Sequence, residues 1–288
     1  EEEMAASFEI SKTTCHARSN SFPSRSHPLS TSVEEQLSRL RTPSQATTSS
    51  SLCHRLSGLK HLHESLDDLL QLQQTKQALS REENKKHIER VLEGSLQLLD
   101  ACGTTRDVLS QMRQCLQQLQ SSLRRKGGSE SVLDNEISAY MLSKKKLAKM
   151  ICKCFRSSSM TPTKKDSDSI SAVSVLNEVQ EITSEVLRSL LSFVSRPKTR
   201  SRSIVVSKLF QSKKVSCEGE VGATEFEKMD AELMVLESKK DIKIEQVKQV
   251  LKGLESLESN IQELEEELEC IFRHLMKTRV SLLNVFTH

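Results

Sequence analysis

The chain has 288 residues, no tryptophan, one tyrosine and only 3% aromatic residues, so a core would consist mainly of Leu, Ile, Val and Met. Eight glycines, five prolines and a scarcity of alternating β-branched runs predict an all-α fold. No apolar run reaches the ~20 residues that a membrane-spanning helix needs. The eight scattered cysteines favour reduced thiols, and therefore a cytoplasmic protein that is at most membrane-peripheral.

Residues 1–50 are predicted to form a disordered tail rich in Ser and Arg. Residues 10–33 contain no acidic residue and too few apolar residues to bury a core. This composition is also typical of a chloroplast transit peptide, which we regard as the weaker interpretation because no amphipathic Arg helix is present. Within the tail, Val33, Leu37 and Leu40 have the spacing of one short helix.

The tail contains a candidate docking motif for phosphopeptide-binding proteins. Arg18, Ser21 and Pro23 match the phosphoserine motif of 14-3-3 proteins, in which an Arg cluster binds the phosphate. Ser203 is a second candidate phosphosite, because Arg200 precedes it by three residues, although no proline follows. Short motifs of this kind also arise by chance in Ser-rich segments, so 14-3-3 docking is one hypothesis for a partner.

Amphipathic periodicity predicts a helical bundle over residues 51–288, with loops near 124–130, 157–169 and 196–222. Glycines after a basic turn and Pro197 account for two of these loops. The predicted helices cover residues 52–70, 88–123, 132–155 and 170–194, and a final helical region begins at Phe226. For the helix over 88–123, the pattern leaves open whether it continues or breaks near Gly103.

The strongest pattern is an apolar seam near the C-terminal end, with alternating spacings of three and four residues over five heptads. A seam of this length must be covered by another helix. Because other amphipathic helices in the same chain offer partners, we expect it to be the spine of an antiparallel bundle. The seam comprises Val247, Val250, Leu254, Leu257, Ile261, Leu264, Leu268, Ile271 and Leu275, and continues to Leu282 and Val285 with Thr278 in its one polar slot.

Charge is segregated along the chain. Residues 144–165 and 196–214 carry eight and seven Lys or Arg without any acid, whereas residues 255–269 carry seven Glu without any base. This segregation indicates charge matching, within the chain or with a partner, or binding to an anionic surface.

The segment 144–156 has a helical apolar face surrounded by lysines, which fits a helix on an anionic membrane. An ordinary bundle helix with solvated lysines has the same pattern and is favoured, because one such helix binds membranes only marginally. The candidate lipid contacts are Lys144, Lys145, Lys146, Lys149, Lys153 and Arg156, and the candidate acylation sites are Cys152 and Cys154.

No pattern predicts catalysis, a metal or a cofactor. The chain lacks the motifs of nucleophile elbows, phosphate loops and zinc proteases. One residue separates Cys152 from Cys154, too few for a zinc knuckle. His61 and His63 diverge by about 200° on a helix and are interpreted as surface histidines. Nucleic-acid binding is disfavoured because glycines interrupt the path from the basic run at 196–214 to the acidic heptads.

Four strings in the sequence, at residues 17–29, 52–59, 94–102 and 277–284, resemble those of a plant family. This is the family of domain of unknown function 241, grouped with the BYPASS-one-like proteins, and the resemblance extends over about residues 17–288. Residues 9–15 do not fit its usual opening. The resemblance implies a role in root and shoot development, and it provides no catalytic or binding residue.

From these observations we expect a non-catalytic helical scaffold or adaptor that binds protein partners through helix packing. A peripheral membrane protein that uses residues 144–156 and 196–214 on anionic lipid is the alternative. A nuclear nucleic-acid-binding protein is the weaker alternative.

Overall fold

A computed structural model describes residues 27–41, 48–125, 130–157, 171–195, 223–238 and 244–287. These ranges contain eight α-helices, a short 3-10 turn at Glu82–Asn84 and no strand, which confirms the predicted all-α class. The helices are α1 (Pro28–Arg41), α2 (Ser49–Gln71), α3 (Gln73–Leu79), α4 (Lys85–Arg125), α5 (Glu130–Ser157), α6 (Ser171–Ser195), α7 (Glu225–Glu237) and α8 (Ile244–Thr287).

Local hydrogen bonds define where several helices begin. The side chain of Thr48 accepts a hydrogen bond from the backbone N–H of Ser51 and caps α2. Thr224 and Glu227 form a reciprocal capping box at the start of α7. The Glu225 carboxylate also accepts hydrogen bonds from the backbone and side chain of Ser49, so it ties the start of α7 to the start of α2.

Helix α4 continues through Gly103 without interruption. A glycine inside a helix costs about 1 kcal/mol relative to alanine. The apolar stripe of α4 outweighs that cost, because Leu99, Cys102 and Val108 are all buried around this position. The hydrophobic pattern therefore decides the continuity of the helix.

Four long helices form a ring in the order α2, α8, α4 and α6, in which each helix packs against the next. Residue pairs across the interfaces show that α2 and α8 run in the same direction, whereas α8 and α4 are antiparallel. Helices α2 and α6 are also antiparallel, so α4 and α6 are parallel. Helix α5 packs outside this ring against α4, α6 and α7.

The predicted seam lies inside the ring, where α8 faces α2 and α4. Its residues from Val250 to Leu275 are buried, and so are Thr278 and Leu282. Val247 and Val285 are partly buried and pack against the same core. Helices of this chain thus cover the seam along its length.

Three glutamates of the acidic heptads of α8 pair with arginines of α4. Arg124 contacts Glu255 at 2.7 Å, and Arg106 contacts Glu269 at 3.0 Å. Arg113 contacts Glu265 at 3.0 Å between them. Burial raises the pKa of Glu265, and the Arg113 charge partly opposes that shift.

Helix α1 corrects the predicted boundary between tail and bundle. The sequence assigned residues 1–50 to a disordered tail, but Pro28–Arg41 packs against α2 and α6. Val33 and Leu37 are buried, and Leu40 lies against Gly58 of α2. These three apolar residues bury enough surface to hold the helix on the bundle. The bundle therefore begins at least as early as residue 28.

Candidate functional site

Asp67 of α2 is buried in the core, where it accepts two hydrogen bonds and forms one ion pair with residues of α8. Its carboxylate oxygens lie 2.9 Å from Thr278 Oγ1, 3.0 Å from His274 Nδ1 and 3.3 Å from Lys277 Nζ. Its side chain is 1% exposed. An isolated carboxylate would be strongly disfavoured at this depth, so the three donors explain how it remains there. Thr278, the one polar residue in the predicted seam of α8, therefore donates its hydrogen bond to Asp67.

His63 lies one turn before Asp67 and is also buried. Its Nε2 is 3.1 Å from Thr183 Oγ1 on α6. Because the Thr183 hydroxyl donates to the carbonyl of Val179 at 2.6 Å, His63 Nε2 must be the donor in this contact. Burial and the nearby His274 lower the pKa of His63 to about 4, while Asp67 opposes the shift. His63 is therefore neutral at physiological pH.

We refer to His63, Asp67, Thr183, His274 and Thr278 as the core polar cluster. The two imidazole rings are nearly parallel, with centroids 6.4 Å apart. The interpretation of His63 as a surface histidine was wrong, because its position is on the inward stripe of α2 with Leu59 and Leu66. His63 and Asp67 are four residues apart on that stripe, and this spacing is the signal that could have revealed the cluster. The cluster links α2, α6 and α8.

A second ionic pair lies where α5 meets α7. Lys144 Nζ is 2.8 Å from Asp230 Oδ2 and 5.0 Å from the centre of the Phe226 ring. The lysine and aspartate side chains are only 13% and 10% exposed. Lys144 was predicted as a lipid contact, and this position contradicts that prediction because its charge is already committed to α7. Burial, followed by the Asp230 charge, raises the pKa of Tyr140 well above its ordinary value.

The other described candidate lipid contacts remain on the surface. Lys145, Lys146, Lys149 and Lys153 are exposed on α5, whereas Leu147 and Ile151 of the predicted apolar face are buried in the bundle. Among the candidate acylation sites, Cys152 is exposed and Cys154 is partly buried. The side chain of Arg156 and the residues Arg18, Ser21, Pro23 and Ser203 lie outside the described part of the chain.

The exposed Cys152 differs from the buried Cys102 of α4. The thiol of Cys102 lies 3.8 Å from the carbonyl of Leu268, and burial raises its pKa to about 12. Such a thiol stays protonated and packs as a small apolar group. Cys102 therefore contributes to the α4–α8 contact.

A family model for Protein BPS1 matches residues 55–285 of the chain. The chain belongs to the BPS1 family. The suspected resemblance to the BYPASS-one-like plant proteins is thereby confirmed, and membership indicates a plant protein involved in development. No curated protein and no solved structure matches the chain.

The BPS1 match extends from α2 to α8 and includes the core polar cluster and the Lys144–Asp230 pair. Helix α1 precedes the matched residues. None of the helices that the structure describes is both long and apolar enough to cross a membrane.

Proposed function

We propose that this chain is a non-catalytic helical scaffold that binds a partner helix in a plant developmental pathway. The observation that supports the proposal best is a second apolar stripe on α8. Met276, Val280 and Leu283 are 46%, 52% and 38% exposed, at spacings of four and three residues. Apolar residues at this spacing on a helix are typical of surfaces that receive another helix.

The stripe lies on a part of α8 that the bundle leaves uncovered. Earlier along α8, Glu255, Glu265 and Glu269 pair with arginines of α4. Beyond Phe272, which packs beside Arg106, the exposed residues of α8 include the three apolar residues of the stripe. Leu96 of α4 is 42% exposed and adds an apolar side chain to the facing helix. Clustered exposed apolar residues are a feature of protein-binding surfaces.

The core polar cluster supports a structural role over a catalytic one. Acid–base chemistry needs a histidine or carboxylate within reach of a substrate. His63 and Asp67 are each 1% exposed, and Thr183 is fully buried. Their hydrogen bonds connect helices with one another, so the groups best suited to catalysis are used to hold the bundle together.

Proximity labelling in root tissue tests the scaffold proposal. The full chain is compared with the variant Met276→Glu/Val280→Glu/Leu283→Glu, and we expect a defined set of labelled proteins to disappear with the variant. The control is Val235→Glu/Ile244→Glu, which adds charge at other exposed apolar positions. Equal circular dichroism and equal urea midpoints ensure that the comparison concerns binding.

The same labelled set for the wild-type chain and the stripe variant would contradict the proposed surface. Loss of the set with both variants would show a general effect of added charge and would also contradict it. If the set depends on the stripe, purified candidates can be tested for direct binding to the wild-type chain.

A further inference from the structure

The outward face of α5 combines lysines with exposed apolar side chains. Lys146, Lys149 and Lys153 are exposed at spacings of three and four residues, so they form one line along the helix. Lys145 lies beside this line and is exposed as well. Leu142 and Met150 flank it and are 55% and 38% exposed. We refer to these six residues as the α5 basic face.

No acid of α5 neutralises the α5 basic face. The sequence from Ile137 to Arg156 contains neither Asp nor Glu. On the neighbouring helix, Asp230 is paired with Lys144, which lies on the inward side. Lysines near a helix C-terminus can complement the helix dipole, but this effect extends over only the last turn. The helix dipole therefore explains the position of Lys153, which is near the end of α5, but it does not explain the positions of Lys145 and Lys146.

The combination of lysines with exposed apolar side chains indicates which class of ligand fits the α5 basic face. A nucleic acid or an acidic peptide would pair with the lysines and leave Leu142 and Met150 in water. An anionic bilayer satisfies both groups, because phosphates contact the ammonium groups while apolar side chains enter the boundary between headgroups and acyl chains. We propose that the α5 basic face docks the chain reversibly onto a membrane surface that contains anionic phospholipid.

The structure changes which residues carry this docking. Lys144 is excluded because it is paired with Asp230, and Leu147 and Ile151 are excluded because they lie in the core. Leu142 takes their place as an apolar contact, although it precedes the lysine-rich segment. The face lies on the surface of a folded bundle, so binding requires no unfolding of α5. Docking is independent of the apolar stripe on α8 and can succeed or fail without it.

Vesicle co-sedimentation with the full chain tests the proposal. Phosphatidylcholine vesicles are compared with vesicles in which about a third of the lipid is phosphatidylserine. The variant Lys146→Glu/Lys149→Glu/Lys153→Glu removes the line of lysines. Its control is Lys86→Glu/Lys248→Glu/Lys252→Glu, which changes net charge equally at exposed lysines of α4 and α8.

We expect the wild-type chain to bind the anionic vesicles and not the neutral ones. Each lysine near the surface contributes about a fivefold factor to partitioning, so the α5 variant should lose at least about 100-fold. The control should change much less. Leu142→Gln/Met150→Gln should weaken binding by about tenfold while it preserves the charge.

Four outcomes would overturn the proposal. The first is equal binding to neutral and anionic vesicles. The second is an equal loss in the α5 variant and its control, which would show a nonspecific charge effect. The third is undiminished binding of the α5 variant, which would place the contact elsewhere in the chain. Binding of duplex DNA that depends on the three lysines, without vesicle binding, would assign the face to nucleic acid instead.

Discussion

Two carboxylate residues are buried among the residues that the structure describes, Asp67 and Asp230, and they differ in how many polar partners they have. Both oxygens of Asp67 accept hydrogen bonds, one from His274 and one from Thr278 of α8, and Lys277 of α8 adds an ion pair. Asp230 has Lys144 on one oxygen, while its Oδ1 has no hydrogen-bond partner among the described residues. Asp67 is also the more deeply buried of the two.

This difference indicates distinct structural roles. The core polar cluster fixes the register of three long helices, because a shift of α8 along α2 would separate Asp67 from all of its donors. The Lys144–Asp230 pair attaches one outer helix to another near the solvent. Loss of a partner should therefore cost more in the cluster than in the pair.

The largest expected effect follows from removal of Asp67. Asp67→Ala leaves Thr278 and His274 without an acceptor and opens a cavity, so we expect the free energy of unfolding to fall by about 3–5 kcal/mol. Urea denaturation followed by circular dichroism measures this change. Asp68→Ala alters the neighbouring exposed carboxylate and should stay within ~0.5 kcal/mol. Similar losses of unfolding free energy for Asp67→Ala and Asp68→Ala would contradict the conclusion that the core polar cluster stabilises the bundle.

The next effect is a pH dependence that originates in His63. The unfolded chain takes up a proton on this residue near pH 6.5, whereas burial lowers the folded pKa to about 4. Stability is therefore retained above pH 6.5 and is lost as pH falls toward 4, by about 3 kcal/mol in total from this residue.

The test compares unfolding free energies of the wild-type chain and His63→Gln over that pH range. The difference between the two should change with the predicted sign, and the contributions of titrating groups remote from His63 cancel. His61→Gln, which changes an exposed histidine two residues earlier, is the control for loss of an imidazole from α2. A parallel profile for His63→Gln would contradict the prediction, because it would show that the pKa of His63 is the same in the folded and unfolded states.

The smallest effect is expected at the outer pair. Lys144→Met leaves the Asp230 charge without its partner, and because the site is near the solvent we expect a loss of about 2 kcal/mol in unfolding free energy. The double variant Lys144→Met/Asp230→Leu should recover most of that loss. Lys145→Met is the control at an exposed neighbour. A loss at Lys144 as large as that at Asp67 would contradict the proposed difference between the sites.

Individual helices could be predicted from the sequence wherever one face of the helix is consistently apolar and the opposite face is polar. The α8 seam and the extents of α4 and α6 follow from such periodicity, and Pro197 follows the end of α6. The packing order of the ring could not be predicted, because periodicity identifies which face is buried and not which helix covers it. Helix α1 was assigned to the tail because the residues before and after it in the sequence are polar. The helical spacing of its three buried apolar residues can nevertheless be recognised in the sequence.

The polar sites were harder to predict for a related reason. His63, Asp67 and Thr278 each occupy a position on an apolar stripe, and a single polar residue there can be solvated, paired or functional. Only the fold shows that Thr278 and Asp67 meet, since 211 positions separate them in the chain. Lys144 was grouped with its lysine neighbours, but the helical rotation from Lys144 to Lys145 turns the former inward and the latter toward solvent.

The contact between α2 and α8 joins two segments that are far apart in the sequence, and this separation has a consequence for synthesis of the protein. Asp67 leaves the ribosome long before His274, which follows it by 207 positions. At cellular rates of translation this delay is on the order of tens of seconds. During that time α2 and α4 exist without the helix that fills the space between them, and their leucine stripes are available to chaperones or to other nascent chains. A polypeptide truncated before residue 244 would lack α8, so the apolar stripes of α2 and α4 that α8 covers would stay exposed.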